Sequence, residues 1–188
     1  MRGLPELRVR TSVLALCLFW ALPMAAQADA ARDLSEGNAL KQVDACEPAL
    51  LHYDSAMATS TPGDGLWEAS AYNRGVCLEL LDRLDDAVAT YGAILRRSPS
   101  EPARADALFR RGMTRVLAGQ RSRARADFVR ARARAVDEPS RRRIDVQLGT
   151  LDARAGRKRA AVLRLGDAVL SLRAAVVDDP TERWFLAQ

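Results

Sequence analysis

Two fragments decide the fold: Ala71-Tyr72-Asn73-Arg74-Gly75, and nine residues further on Leu84-Asp85-Asp86-Ala87 with Tyr91. Their key positions return at a fixed interval. Arg74-Gly75, Arg111-Gly112 and Leu148-Gly149 are 37 residues apart, as are Ala87, Ala124 and Ala161. Tyr91, Phe128 and Leu165 follow each alanine by four residues. Gly119 and Gly156 keep the same step, with Asp82 in the corresponding earlier place, while Pro99, Pro139 and Pro180 are expected to close the units. A period of this length is the mark of a repeat architecture. Within a unit, Leu78, Leu81, Leu84, Val88, Tyr91 and Leu95 recur at the three-to-four spacing of one buried helical face. A break at Asp82-Arg83, Gly119-Gln120 or Gly156-Arg157 then divides each unit into two helices. Small residues such as Gly75 and Ala87 let the two approach closely, and the large side chain fills the space beside them.

These runs, together with Ala107-Leu108-Phe109-Arg110-Arg111-Gly112, Gly119-Gln120, Ala124 and Ala126-Asp127-Phe128, resemble the tetratricopeptide repeat (TPR). The resemblance covers residues 68–101, 105–139 and, more loosely, 142–178. In the last unit Leu165 replaces the aromatic and Asp145 stands where a bulkier residue would pack, as in a terminal cap. It implies an all-α fold, a right-handed α-solenoid of stacked helix-turn-helix pairs. Gly37, Ala49 and Tyr53 precede Gly75, Ala87 and Tyr91 by 38 residues, so a degenerate pair is expected over 30–57. The loop from Thr59 to Gly65 would join it to the next helix as a flexible tip. The expected organisation is an export segment over 1–28, the opening pair and loop over 29–67, three pairs over 68–178, and a tail over 179–188. Trp184-Phe185-Leu186 in that tail is expected to fold over the last helix.

At 188 residues and 48% hydrophobic, the chain can build a real core. Arg2, Arg8 and Arg10, an apolar stretch from Val13 to Leu22, Pro23 and Ala26-Gln27-Ala28 have the order of a secretory signal, cut after Ala28. Ten apolar residues are too few for the roughly 20 that a membrane span needs. Cys17 would leave with the signal. In an oxidising compartment Cys46 and Cys77 are then expected to bridge. The expected compartment is the periplasm or the exterior, with no stable membrane insertion afterwards.

The net charge of +5 is unevenly spread. Residues 29–103 carry 6 basic and 13 acidic side chains, and residues 104–159 carry 17 and 6. The bias toward arginine is that of a GC-rich genome and is no signal for nucleic acid, which is not expected as a partner. With one histidine and three cysteines, no metal-ligand spacing, Gly-rich phosphate loop or nucleophile arrangement is apparent. His52 reads as a rim histidine, and Asp85-Asp86 as acids at the favourable end of a helix dipole. The chain is therefore expected to be non-enzymatic, without cofactor or metal.

In the TPR family the first helices of successive units line a concave groove. At the matching positions stand Tyr72, Val76 and Glu79, then Phe109, Met113 and Val116, then Val146 and Thr150. An apolar centre with few charges suits hydrophobic side chains of a protein or peptide partner, although Tyr72 and Phe109 could equally pack between helices. The basic clamp that some members use for a carboxylate is missing. The alternative is a polyanion-binding or envelope-associating surface. Arg123, Arg130 and Arg134 can share one face of a helix, followed by Arg141, Arg142 and Arg143. A solvated outer face would look the same, and self-association stays open.

Overall fold

A computed structural model describes residues 26–177, with side chains as far as residue 170. The described chain is helical between short turns and contains no strand among the described residues. Helix α1 spans residues 26–42. It is followed by α2 (Cys46–Thr59), α3 (Gly65–Leu80), α4 (Leu84–Arg97), α5 (Glu101–Leu117), α6 (Arg121–Arg134), α7 (Glu138–Arg154) and α8 (Lys158–Val177). The export segment lies outside the described residues except for residues 26–28, which begin α1. The tail with Trp184-Phe185-Leu186 lies outside them altogether.

The helix starts follow two rules. Odd-numbered helices from α3 onward open on a side-chain cap. Asp64 accepts from the Trp67 amide, Ser100 from Ala103 and Asp137 from Ser140. Each cap satisfies an amide that the first turn leaves unpaired. The Ser140 bonds also hold the Asp137 carboxyl below its ordinary range. The even-numbered helices α2, α4 and α6 have no such cap and begin just after a left-handed residue. These residues are Asp44 (φ 58°), Asp82 (φ 57°) and Gly119 (φ 73°), and Gly156 (φ 73°) stands likewise before α8. The 37-residue column at the interhelical break is thus a column of positive φ, open to glycine and tolerated by aspartate.

Two expectations are corrected. The pairs begin earlier than read, since α3 starts at Gly65, α5 at Glu101 and α7 at Glu138. Pro139 does not close a unit: it occupies the first turn of α7, as Pro102 does in α5. Proline suits that turn because its missing N–H would be unpaired there anyway. In the loop before α3, Asp64 Oδ2 also accepts from the Thr61 amide at 3.0 Å.

The chain divides into two compact units between Asp82 and Arg83. In the first, α2 packs on α3. A Cys46–Cys77 disulfide joins them with Cα atoms 5.1 Å apart. A Cβ on Gly37 would fall 2.8 Å from the Tyr53 ring, so α1 and α2 approach as closely as glycine allows. Tyr53 is fully buried and burial pushes its phenol up to about 12. Its hydroxyl donates to Asn38 Oδ1 at 3.1 Å, which also accepts from Asn73 Nδ2 at 2.9 Å. Lys41 Nζ donates to Asn73 Oδ1 at 2.6 Å, so a polar chain ties α1, α2 and α3.

In the second unit successive helices from α4 to α8 pack in order. Leu108, Ala124, Phe128, Ala131, Ile144, Leu148 and Leu151 form its core. The glycine-to-large-residue contact recurs, with a Gly112 Cβ 2.6 Å from Phe128 and a Gly149 Cβ 2.8 Å from Leu165. Two buried carboxylates also lie here. Asp127 on α6 accepts from Arg111 Nη2 at 2.7 Å and Arg115 Nη1 at 2.5 Å on α5. Asp152 on α7 accepts from Arg125 Nε at 3.2 Å, Arg157 Nε at 2.9 Å and Arg164 Nε at 3.2 Å. One column reads Arg115 then Asp152, and the facing column Asp127 then Arg164. The same cross-helix ion pair is therefore made with its charges exchanged.

Candidate functional site

In the second unit the first helices are α5 and α7, and the exposed edge between them centres on Phe109. This side chain is half-buried and packs against the core, with its ring centroid 5.8 Å from that of Phe128. Its outer face borders a cleft of about 110 Å³ with Pro102, Ala105, Asp106, Ser140, Arg143 and Ile144 among its walls. The Arg143 guanidinium stands 4.5 Å over the Phe109 ring. Such a cation–π contact holds the arginine across an apolar floor. Arg143 Nη2 also approaches Asp106 at 4.0 Å, one wall of the same cleft.

Met113 and Val116 continue the α5 face and are likewise half-buried against the core. Val146 and Thr150 on α7 are half-buried, and the Thr150 hydroxyl donates to the Val146 carbonyl at 2.8 Å. In the first unit Tyr72, Val76 and Glu79 sit one helical turn apart on α3, all half-buried. The expectation of an apolar centre with few charges needs correcting at Phe109. Asp106, Arg134, Asp137 and Arg143 all border its cleft, because the arginine run after Pro139 lies on α7 beside α5.

The arginine-rich helix α6 is mostly engaged in intramolecular pairs. Arg132 Nε donates to Asp145 at 2.7 Å, and that hydrogen bond raises the Arg132 pKa. Arg134 Nε lies 3.2 Å from Glu101. Asp145, which stands where the repeat pattern has a bulkier residue, receives both Arg132 and Arg164. Arg141 Nε donates to the Ala135 carbonyl at 3.1 Å, and Arg123 Nη1 reaches Gln120 at 3.4 Å. Arg142 is half-buried. Exposed Arg130, with Arg104, Arg111 and Arg134, borders a second cleft of about 200 Å³ floored by Leu95 and Leu108. Arg123 does not border that cleft, although helical spacing keeps it on the same face of α6 as Arg130 and Arg134.

The two internal carboxylates perturb their surroundings. Burial pulls the Arg115 guanidinium below its usual value, with Asp127 opposing and Arg111 reinforcing the shift. For Asp152 burial pushes upward, but hydrogen bonds from Arg157 and Arg125 prevail and hold it below the ordinary range. Neither aspartate was read from the sequence as an ion-pair partner, although their exchange with Arg115 and Arg164 is visible once the 37-residue columns are aligned. Sequence spacing also gave no hint that Asp33, Glu36 and His52 converge, since they come from two helices.

No helix among the described residues is long and apolar enough to cross a membrane. No protein-family profile and no curated sequence matches the chain. Solved structures do. The crystal structure of MamA aligns over 93% of this chain and 98% of that one, with a TM-score of 0.67 and 15% identity. A MamA fragment from Desulfovibrio magneticus RS-1 aligns over 92% and 98%, at 0.64 and 15%. PilW, described as a widely conserved type IV pilus biogenesis factor, aligns over 84% and 67%, at 0.61 and 19%. With helical pairs, left-handed breaks and glycine contacts repeating at one period, the chain has the all-α, α-solenoid fold of the TPR type.

Proposed function

We propose that the protein is an exported, non-enzymatic scaffold whose first-helix faces capture a segment of a protein partner. The observation that carries this reading is Phe109, an aromatic left half-exposed at the floor of a small cleft and clamped by Arg143. An apolar floor with a few convergent charged groups suits one inserted side chain with its neighbouring backbone. Helices packed in order in the second unit offer that surface preformed, so little ordering entropy is lost on docking. Met113, Val116, Val146 and Thr150 extend the surface, and Tyr72, Val76 and Glu79 are the counterpart on α3. Export is supported by the order of features over residues 1–28 and by the Cys46–Cys77 bridge. Likeness to a pilus biogenesis factor is in keeping with a place in a bacterial envelope.

Phe109→Ala and Tyr72→Ala, made separately, are expected to weaken capture of envelope partners in crosslinking while far-UV helicity stays intact. Unchanged capture by both variants would refute the assignment. The second cleft favours a second reading, in which Arg104, Arg130 and Arg134 hold an acidic segment. Binding of that kind falls steeply with salt, whereas capture at Phe109 persists.

A further inference from the structure

The chain's only histidine stands between two carboxylates of a neighbouring helix. Asp33 and Glu36 are three residues apart on α1 and so share one face of it. His52 comes from α2. Its Nδ1 is 3.6 Å from Asp33 Oδ1 and 3.3 Å from Glu36 Oε2, and the three donor atoms all lie within 4.8 Å of one another. A zinc-like ion held by N and O ligands at about 2.0–2.2 Å sets tetrahedral neighbours about 3.3–3.6 Å apart. The two histidine–carboxylate separations fall in that range. The surroundings aim the donors. Ser55, three residues beyond His52 on α2, donates to Asp33 Oδ2 at 2.5 Å and leaves Oδ1 toward the imidazole. Arg32 touches the other Glu36 oxygen, Oε1, loosely at 3.9 Å, leaving Oε2 on the histidine side. A hydroxyl fixing the far oxygen of a ligating carboxylate is the usual outer support of a metal site.

We propose that Asp33, Glu36 and His52 form a binding site for a divalent d-block cation of the zinc class, which clips α1 to α2. One imidazole and two carboxylates select against ions that prefer oxygen alone, and three protein ligands leave a fourth position open to water or to a group from a partner. Half-exposed His52 gives the ion access.

The test uses the untagged chain in a Cys17→Ser background, which removes the one cysteine outside the Cys46–Cys77 bridge. Zn²⁺ is titrated by calorimetry and by NMR of the single imidazole. One ion per chain is expected, with the imidazole resonances shifting in step with the heat. His52→Gln and Asp33→Asn should abolish the binding, and Ser55→Ala should weaken it by about tenfold. Circular dichroism checks that the variants keep the wild-type helicity. Absence of uptake, undiminished affinity in His52→Gln, or equal competition by Mg²⁺ or Ca²⁺ would each overturn the assignment.

Discussion

Gly112→Ala separates tight helix contact from ordinary helix preference. In a helix interior alanine is better than glycine by about 1 kcal/mol. At Gly112 the new methyl would lie 2.6 Å from Phe128 Cε1, 2.9 Å from Cδ1 and 3.0 Å from Cζ. Ordinary carbon contacts are about 3.5–4.0 Å. The obstacle is the rigid edge of a ring that is fully buried, so it cannot swing into solvent. Overpacking of this kind costs about 1–3 kcal/mol. With three ring atoms in the way the upper end applies, leaving a net loss of about 2 kcal/mol after the helical gain. For a chain of this length that lowers Tm by about 4–8 °C. Gly166→Ala on α8 is the control, since its methyl would meet nothing within 4 Å. It should raise Tm by a few degrees, about 0.5–1 kcal/mol. Thermal unfolding followed by circular dichroism reads both. A Gly112→Ala protein as stable as wild type would refute the close-contact argument.

Two further outcomes follow from buried charge and from the covalent link. Asp152 has its folded pKa lowered, so its contribution is complete above the ordinary carboxylate value near about 3.9 and is lost as pH falls through the lower folded value. Asp152→Asn should therefore flatten the acid limb of the stability curve below about pH 4 and cost about 2 kcal/mol at neutral pH, less than a fully enclosed pair because Arg125 and Arg157 are partly exposed. A variant with the wild-type acid limb would contradict this. Cys46 and Cys77 are separated by 31 residues, and reducing their bridge should cost about 3–4 kcal/mol in the chain-entropy account. Urea midpoints with and without reductant measure it, and thiols that alkylate before reduction would disprove the link.

The fold was legible because its determinants are local and periodic. Gly112 with Phe128, and Gly149 with Leu165, stand 16 residues apart in each pair, and Gly119 and Gly156 mark each turn. Pro139 was misplaced because a proline after a repeat and one opening the next helix look alike in a single chain; Ser100-Glu101-Pro102 and Asp137-Glu138-Pro139 show the difference through their caps. The site was only half legible. A resemblance can assign Phe109 to a face, but it cannot say that Arg143 lies across it, because that meeting joins α5 to α7. Asp33 and His52 are 19 residues apart on different helices, so no linear spacing announces them.

The exchanged ion pair bears on how similar hairpins avoid one another during assembly. If α5 closed on α8 in place of α6, Arg115 would face Arg164, and α7 closing on α6 in the same manner would set Asp152 against Asp127. Two like charges forced together away from water are strongly unfavourable. Neighbouring segments that share glycines and turns thus carry opposite polarity keys, so each helix of the array accepts its own mate and rejects its near-twin.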